Sequence, residues 1–191
     1  MHDLTLQLIQ PFWREEPFSA YERGLLDALF RAHHQSAFRD NPSSVTAVNA
    51  AAGSGDLSKA IAAAILTTGA KHAPLEATVE FLSLDAPAAM IPNMLKAGQK
   101  VPGWGGTFQK DEPDPIWAEV AARLAANWPL LGAKLGFVSV TLRTQGKPIY
   151  PNPSAYTASV ALAIGLPAPL APYLFIAARL SAWTQIAARV I

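Results

Sequence analysis

The chain has 191 residues, a net charge of +1, no cysteine, a hydrophobic fraction of 51% and only 15% charged side chains. Its length suits one domain with a small lobe, and the absence of cysteine excludes disulfides and thiolate chemistry. Acids and bases are interspersed, which gives no case for nucleic-acid binding, while an alanine-rich, charge-poor chain predicts apolar surface left for a partner, most simply a homodimer.

Residues 1–18 read as an N-terminal arm broken by Pro11 and Pro17, and residues 19–191 as a helical domain. Met1-His2-Asp3-Leu4 lacks the basic start and apolar run of a secretory signal, which predicts a cytoplasmic protein. Ser19 followed by Glu22 has the form of a capping box. Leu25, Leu26, Leu29 and Phe30 follow at helical spacing, so the first helix is predicted to end near His34, with a polar loop from there to Pro42. Asn41-Pro42-Ser43-Ser44 opens a second helix, and Asp56 caps a third over 57–68 whose face is almost all Ala, Ile and Leu. The turn Gly69-Ala70-Lys71-His72 leads into a fourth over 73–83, and Pro87 starts a fifth that ends near Gly98.

Asp114-Pro115 pairs a cap with a first-turn proline, ahead of Trp117, Val120, Ala121 and Leu124 on one face. Further helices are predicted over 133–143, 154–164 and 169–190, with an extended link at 146–152. Residues 148–178 carry no charge, but Pro167, Pro169 and Pro172 break them, so two buried helices fit better than a membrane span. Strand signals are nearly absent, and the predicted architecture is all-α.

Three places carry candidate chemistry. Lys100-Val101-Pro102-Gly103-Trp104-Gly105-Gly106-Thr107 combines three glycines, a proline and a tryptophan between two helices. It reads either as a backbone cradle for a phosphate or nucleotide-like group, with Trp104 as a flat contact, or as a surface turn with one anchoring aromatic. His72 lies in a turn entering a helix, where one ring nitrogen could face a substrate oxygen. His2, His33 and His34 have less to recommend them, the last two because a polar helix end is an ordinary place for histidine. Arg179 lies among Phe175, Ala178, Leu180 and Trp183, and a guanidinium in such surroundings needs an anionic partner, either a protein carboxylate or a bound one. No His/Asp/Glu cluster has metal-ligand spacing, so no metal is predicted.

Taken in order, these pieces resemble the C-terminal part of the citrate synthase family, including its citryl-CoA lyase relatives. Asn41-Pro-Ser-Ser-Val-Thr-Ala resembles the family's Asn-Ala-Ser-Thr segment. Gly69-Ala-Lys-His72-Ala-Pro-Leu-Glu-Ala resembles Gly-Pro-Leu-His-Gly-Gly-Ala-Asn-Glu, which carries the first catalytic histidine. Lys100-Val-Pro-Gly-Trp-Gly-Gly, then Lys110 and Asp114-Pro115, resembles Val-Pro-Gly-Phe-Gly-His…Lys…Asp-Pro-Arg. Tyr150-Pro-Asn-Pro-Ser-Ala-Tyr156 resembles Phe-Pro-Asn-Val-Asp-Phe-Tyr, and Phe175…Ala178-Arg179-Leu180-Ser-Ala-Trp183 matches Phe…Ser-Arg-Ile-Ala-Gly-Trp.

The resemblance implies a citrate synthase-like helical fold, N-terminally shortened, built from large-domain helices with a remnant of the small domain. It also implies a dimer, with a further arginine of the family falling beyond Ile191. His72 matches the first histidine, Arg179 a carboxylate-binding arginine, and Asn152 a substrate contact, while Val101, Pro102, Gly103, Trp104 and Gly105 match the loop that contacts CoA. Gly106 stands where the second histidine belongs, Ser154 where the catalytic aspartate belongs, and Ile116 where the arginine after Asp-Pro belongs.

The resemblance therefore implies a protein that has lost two of three catalytic residues. It would bind CoA, acyl-CoA or a di- or tricarboxylate without standard citrate synthase activity and without a tightly bound cofactor. Two alternatives stand beside it. One is an active citryl-CoA lyase-like or acyl-CoA condensing enzyme whose base is Glu76, Asp111 or Glu112. The other is an interaction subunit pairing with itself or with a fuller citrate synthase-like chain.

Overall fold

The computed structural model describes residues 14–39, 41–69, 73–106 and 112–191. Among them the chain forms nine α-helices, two 3-10 turns and no strand beyond one isolated bridge between Trp104 and Pro151. The helices are α1 (Ala20–Ala37), α2 (Pro42–Ser54), α3 (Leu57–Leu66), α4 (Leu75–Ser83), α5 (Pro87–Lys96), α6 (Ala118–Asn127), α7 (Pro129–Thr144), α8 (Pro153–Ala163) and α9 (Ala171–Ala188). The all-α expectation holds.

Side-chain caps set four of the nine helix starts. Ser19 Oγ accepts from the Glu22 N–H while Glu22 returns a bond to the Ser19 N–H, closing the capping box that opens α1. Asn41, Asp56 and Asn152 cap α2, α3 and α8, each accepting from backbone N–H groups of the first turn. Asp114 caps the 3-10 turn Pro115–Trp117 that leads into α6.

Two boundaries differ from the sequence expectation by about a turn of helix. α1 runs on to Ala37, because no glycine or proline stops it before Pro42, and its buried stripe continues through Ala32, His33, Ser36 and Ala37. α7 begins at Pro129 rather than Ala133, since proline at the first helical position needs no N–H partner.

The long helices α1, α8 and α9 pack against one another and carry the centre of the core, which includes Leu25, Leu29, Val160, Phe175 and Trp183. The α2–α3 hairpin lies on α9, α4 packs on α8, and α6 and α7 pair with each other near α1, α5 and α8. Alanines 47, 51, 60 and 64 are fully buried in α2 and α3, and small side chains allow helices to approach closely. Ahead of α1, Phe18 is buried in the core and Arg14 forms an ion pair with Glu22. Among the described residues no helix is long and apolar enough to cross a membrane.

Candidate functional site

A cavity of about 1430 Å³ opens between the C-terminal end of α1, the loop after α5, the N-terminal end of α8 and the middle of α9. Among the described residues four cationic side chains line it, Arg39, Lys100, Lys147 and Arg179, against one carboxylate, Asp114. Asp114 is buried and already held by Arg39, whose guanidinium gives both of its carboxylate oxygens a hydrogen bond. The cavity is therefore electropositive, and a low-dielectric wall strengthens such a field.

Arg179 forms its base. The residue is only 3% exposed, and no carboxylate oxygen lies within 4 Å of its guanidinium among the described residues. Its partners are all neutral. Nε–H donates to His33 Nδ1 at 3.2 Å, NH1 to Asn41 Oδ1 at 3.1 Å and to Ser43 Oγ at 3.5 Å, and NH2 to Ser36 Oγ at 3.3 Å. The guanidinium also lies 4.5 Å over the Phe175 ring, one turn back on α9. Burial pulls its pKa down from 12.5 to about 10, so it remains charged at neutral pH with no counter-charge from the described fold. Of the two partners foreseen for this arginine, the protein carboxylate is absent among the described residues.

The polar residues around Arg179 come from three places in the chain. His33 and Ser36 lie one turn apart on α1, Asn41 caps α2, and Thr157 on α8 meets His33 Nε2 at 2.7 Å. Asn41 anchors the arrangement: its Oδ1 takes bonds from Arg179, Ser43 and the Ser44 N–H, and its Nδ2 donates to carbonyls at the end of α1. His33 is fully buried, with its ring edge-on to Trp117 at 5.0 Å and Phe175 at 4.8 Å. This corrects its reading as a residue of a polar helix end. With α1 extended to Ala37, His33 falls four residues after Leu29 and seven after Leu26, on the buried stripe, and that register was the signal that could have found it.

The glycine-rich loop is tied to α8 through Asn152. Its backbone N–H donates to Gly103 O at 2.9 Å, its Nδ2 donates to Gly105 O at 2.8 Å, and its Oδ1 caps Ser154 and Ala155. Gly105 N–H in turn donates to Tyr150 O. Gly103 has φ +83°, and a Cβ there would lie 2.6 Å from Thr78 Cγ2 and 3.1 Å from Ala155, so glycine is required both by conformation and by the approach of α4 and α8. Trp104 is 6% exposed. Its indole N–H donates to Ser139 Oγ at 3.0 Å and its ring lies edge-on to Phe81, which anchors the loop on α7 and α4.

The residues singled out in the sequence thus converge on one cavity. Val101, Pro102, Gly103, Trp104, Gly105, Gly106, Asn152, Ser154 and Arg179 all line it. Ser154 is buried at the second position of α8, and its hydroxyl has no hydrogen-bond partner among the described residues. His72, Lys110 and Asp111 lie outside the described residues. Glu76 and Glu112 are exposed and are not among the described residues that line the cavity. Among the described residues no cluster of three His, Asp or Glu side chains could hold a metal ion.

Fold and cavity together define an all-α domain with a cationic cavity floor. The family model for the citrate synthase C-terminal domain matches residues 5–188, and the chain belongs to that family. It is similar in structure to citryl-CoA lyase from Hydrogenobacter thermophilus, at 19% identity and a TM-score of 0.73 over 92% of this chain and 71% of that one. Citrate synthase from Thermotoga maritima matches at 23% identity and a TM-score of 0.76, over 91% of this chain and 50% of that one. ATP citrate lyase from Methanosaeta concilii, a variant in complex with (3S)-citryl-CoA, matches at 16% identity and a TM-score of 0.76 over 93% of this chain and 32% of that one. The chain thus spans between about a third and about seven-tenths of these relatives, and the likenesses show the shared fold. No curated protein sequence matches it.

Proposed function

We propose that the cavity binds an anionic ligand of the CoA thioester or di- or tricarboxylate class, and that the chain does not carry out standard citrate synthase catalysis. One observation carries this reading: Arg179 is buried and charged at the base of the cavity, with neutral partners only among the described residues. A carboxylate of the ligand supplies the missing counter-charge. Lys100 and Lys147, exposed on the same cavity's lining, suit the phosphates of CoA. The relatives support the ligand class, since one of them is described in complex with (3S)-citryl-CoA and another with citrate and coenzyme A.

The catalytic half of the proposal rests on Ser154 and Gly106, at the positions where the family resemblance puts an aspartate and a histidine. Removal of a carbon-bound proton requires a base in hydrogen-bond reach. A hydroxyl without a neighbouring base does not serve, and Asp114, the one carboxylate lining the cavity among the described residues, is paired with Arg39.

Titration calorimetry with citrate, oxaloacetate, CoA and acetyl-CoA tests the reading. Saturable binding is expected for the wild type, weakened about tenfold or more in Arg179→Met, because a hydrogen bond to a charged group is worth about 1.5–3 kcal/mol. Flat titrations at millimolar ligand with folded protein would overturn it.

A further inference from the structure

We propose that His33 is the positioning residue of the Arg179 anion site: it occupies the Nε edge of the guanidinium, so that the ligand is met from the NH1 and NH2 nitrogens alone. The inference rests on the anion-binding reading and adds the kind of contact the ligand receives.

The proton positions follow from donor and acceptor identity. A guanidinium has five N–H donors and no acceptor. Arg179 Nε–H therefore makes His33 Nδ1 an acceptor, and the ring proton of neutral His33 sits on Nε2. Nε2 lies 2.7 Å from Thr157 Oγ1. That oxygen can accept because its own hydrogen goes to the Pro153 carbonyl at 2.8 Å. The chain of bonds runs in one direction from Arg179 through His33 and Thr157 to the first turn of α8. A ring turned over would present carbon to both neighbours, and the edge contacts to Trp117 and Phe175 hold it in place.

Counting donors then fixes what is left for a ligand. Nε–H is taken by His33, one NH2 hydrogen by Ser36, and one NH1 hydrogen is shared by Asn41 Oδ1 and Ser43 Oγ, which lie only 2.8 Å from each other. One hydrogen on NH1 and one on NH2 remain. Bidentate grip of a carboxylate on the Nε edge needs Nε–H, and His33 closes that edge. The ligand oxyanion is therefore met from NH1 and NH2, with the Ser154 hydroxyl available on the same wall.

His33→Asn keeps an acceptor where Nδ1 stands and loses the bond to Thr157, whereas His33→Phe keeps a ring and loses both. The intact protein and the two variants are titrated with citrate, and long-range proton–nitrogen spectra report the ring tautomer of wild-type His33. The expected result is an Nε2–H tautomer, near wild-type citrate affinity in His33→Asn, and a loss of about tenfold or more in a folded His33→Phe. Should His33→Phe not fold, His33→Gln, which retains the contact to Thr157 and lacks the acceptor for Arg179, replaces it with the same expected loss. Unchanged citrate affinity in the acceptor-less variant, an Nδ1–H tautomer, or a protonated ring would overturn the proposal alone. A wild type that binds none of citrate, oxaloacetate and CoA would overturn the anion-binding reading itself and this proposal with it.

Discussion

His33 and Arg179 are buried ionisable groups in contact, and burial drives both toward their neutral forms. The pKa of His33 is held well below 6.5, first by burial and then by the neighbouring guanidinium. Arg179 stays charged, at an energetic cost on the order of 3 kcal/mol for its displacement to about 10. A bound carboxylate offsets that cost. For His33 the folded protein refuses a proton that the unfolded chain takes up near pH 6.5. As pH falls through that value the unfolded state binds the extra proton, so this contribution to stability is complete above it and declines below it. The expected slope is about 1.4 kcal/mol per pH unit until the lowered folded pKa is reached. Urea unfolding between pH of about 5 and about 8 checks this against His33→Asn, which should show a shallower decline by one proton. Equal slopes for the two proteins would mean that folded His33 accepts the proton after all.

Among the elements, the loop after α5 and the start of α8 behave as one unit because Asn152 joins them. Gly103 is the tightest point of that junction. Gly103→Ala adds a methyl against Thr78 and Ala155 in a left-handed conformation, and a loss of about 1–3 kcal/mol is expected. Thermal or urea unfolding reads it directly, and a loss below about 0.5 kcal/mol would show that the loop can shift without strain.

Much at this scale was legible in the sequence. Ser19 with Glu22, Asn41-Pro42, Asp56 and Asp114-Pro115 marked real starts, because a cap acts through its own first turn and needs no knowledge of the rest of the fold. The glycine-rich loop and Arg179 stood out by their residue types and Ser154 through the resemblance, and they share one cavity. The His33–Thr157 and Arg179–Asn41 contacts were not legible, since their partners lie 124 and 138 residues apart and only tertiary packing brings them together. Asn152 was read as a substrate contact. Its observed bonds hold the loop to α8, a role visible only once both segments are placed.

For the whole molecule, large apolar side chains stand outside the core. Leu66 is 85% exposed, Leu130 80%, and Phe137 and Tyr173 65% each. Together with closely packed, alanine-lined helices, they support a homodimer as the working form. Light scattering over a range of concentrations is expected to give twice the chain mass, and a monomer throughout would remove that proposal.

The position of Arg179 in α9 also bears on the order in which the site comes into being. His33 leaves the ribosome 146 residues before Arg179, and Ser36, Asn41 and Thr157 also emerge ahead of it. Until α9 docks, the growing chain holds a set of hydrogen-bond acceptors with no cation among them. The Arg179 part of the proposed anion site therefore forms only when α9 docks on segments made before it.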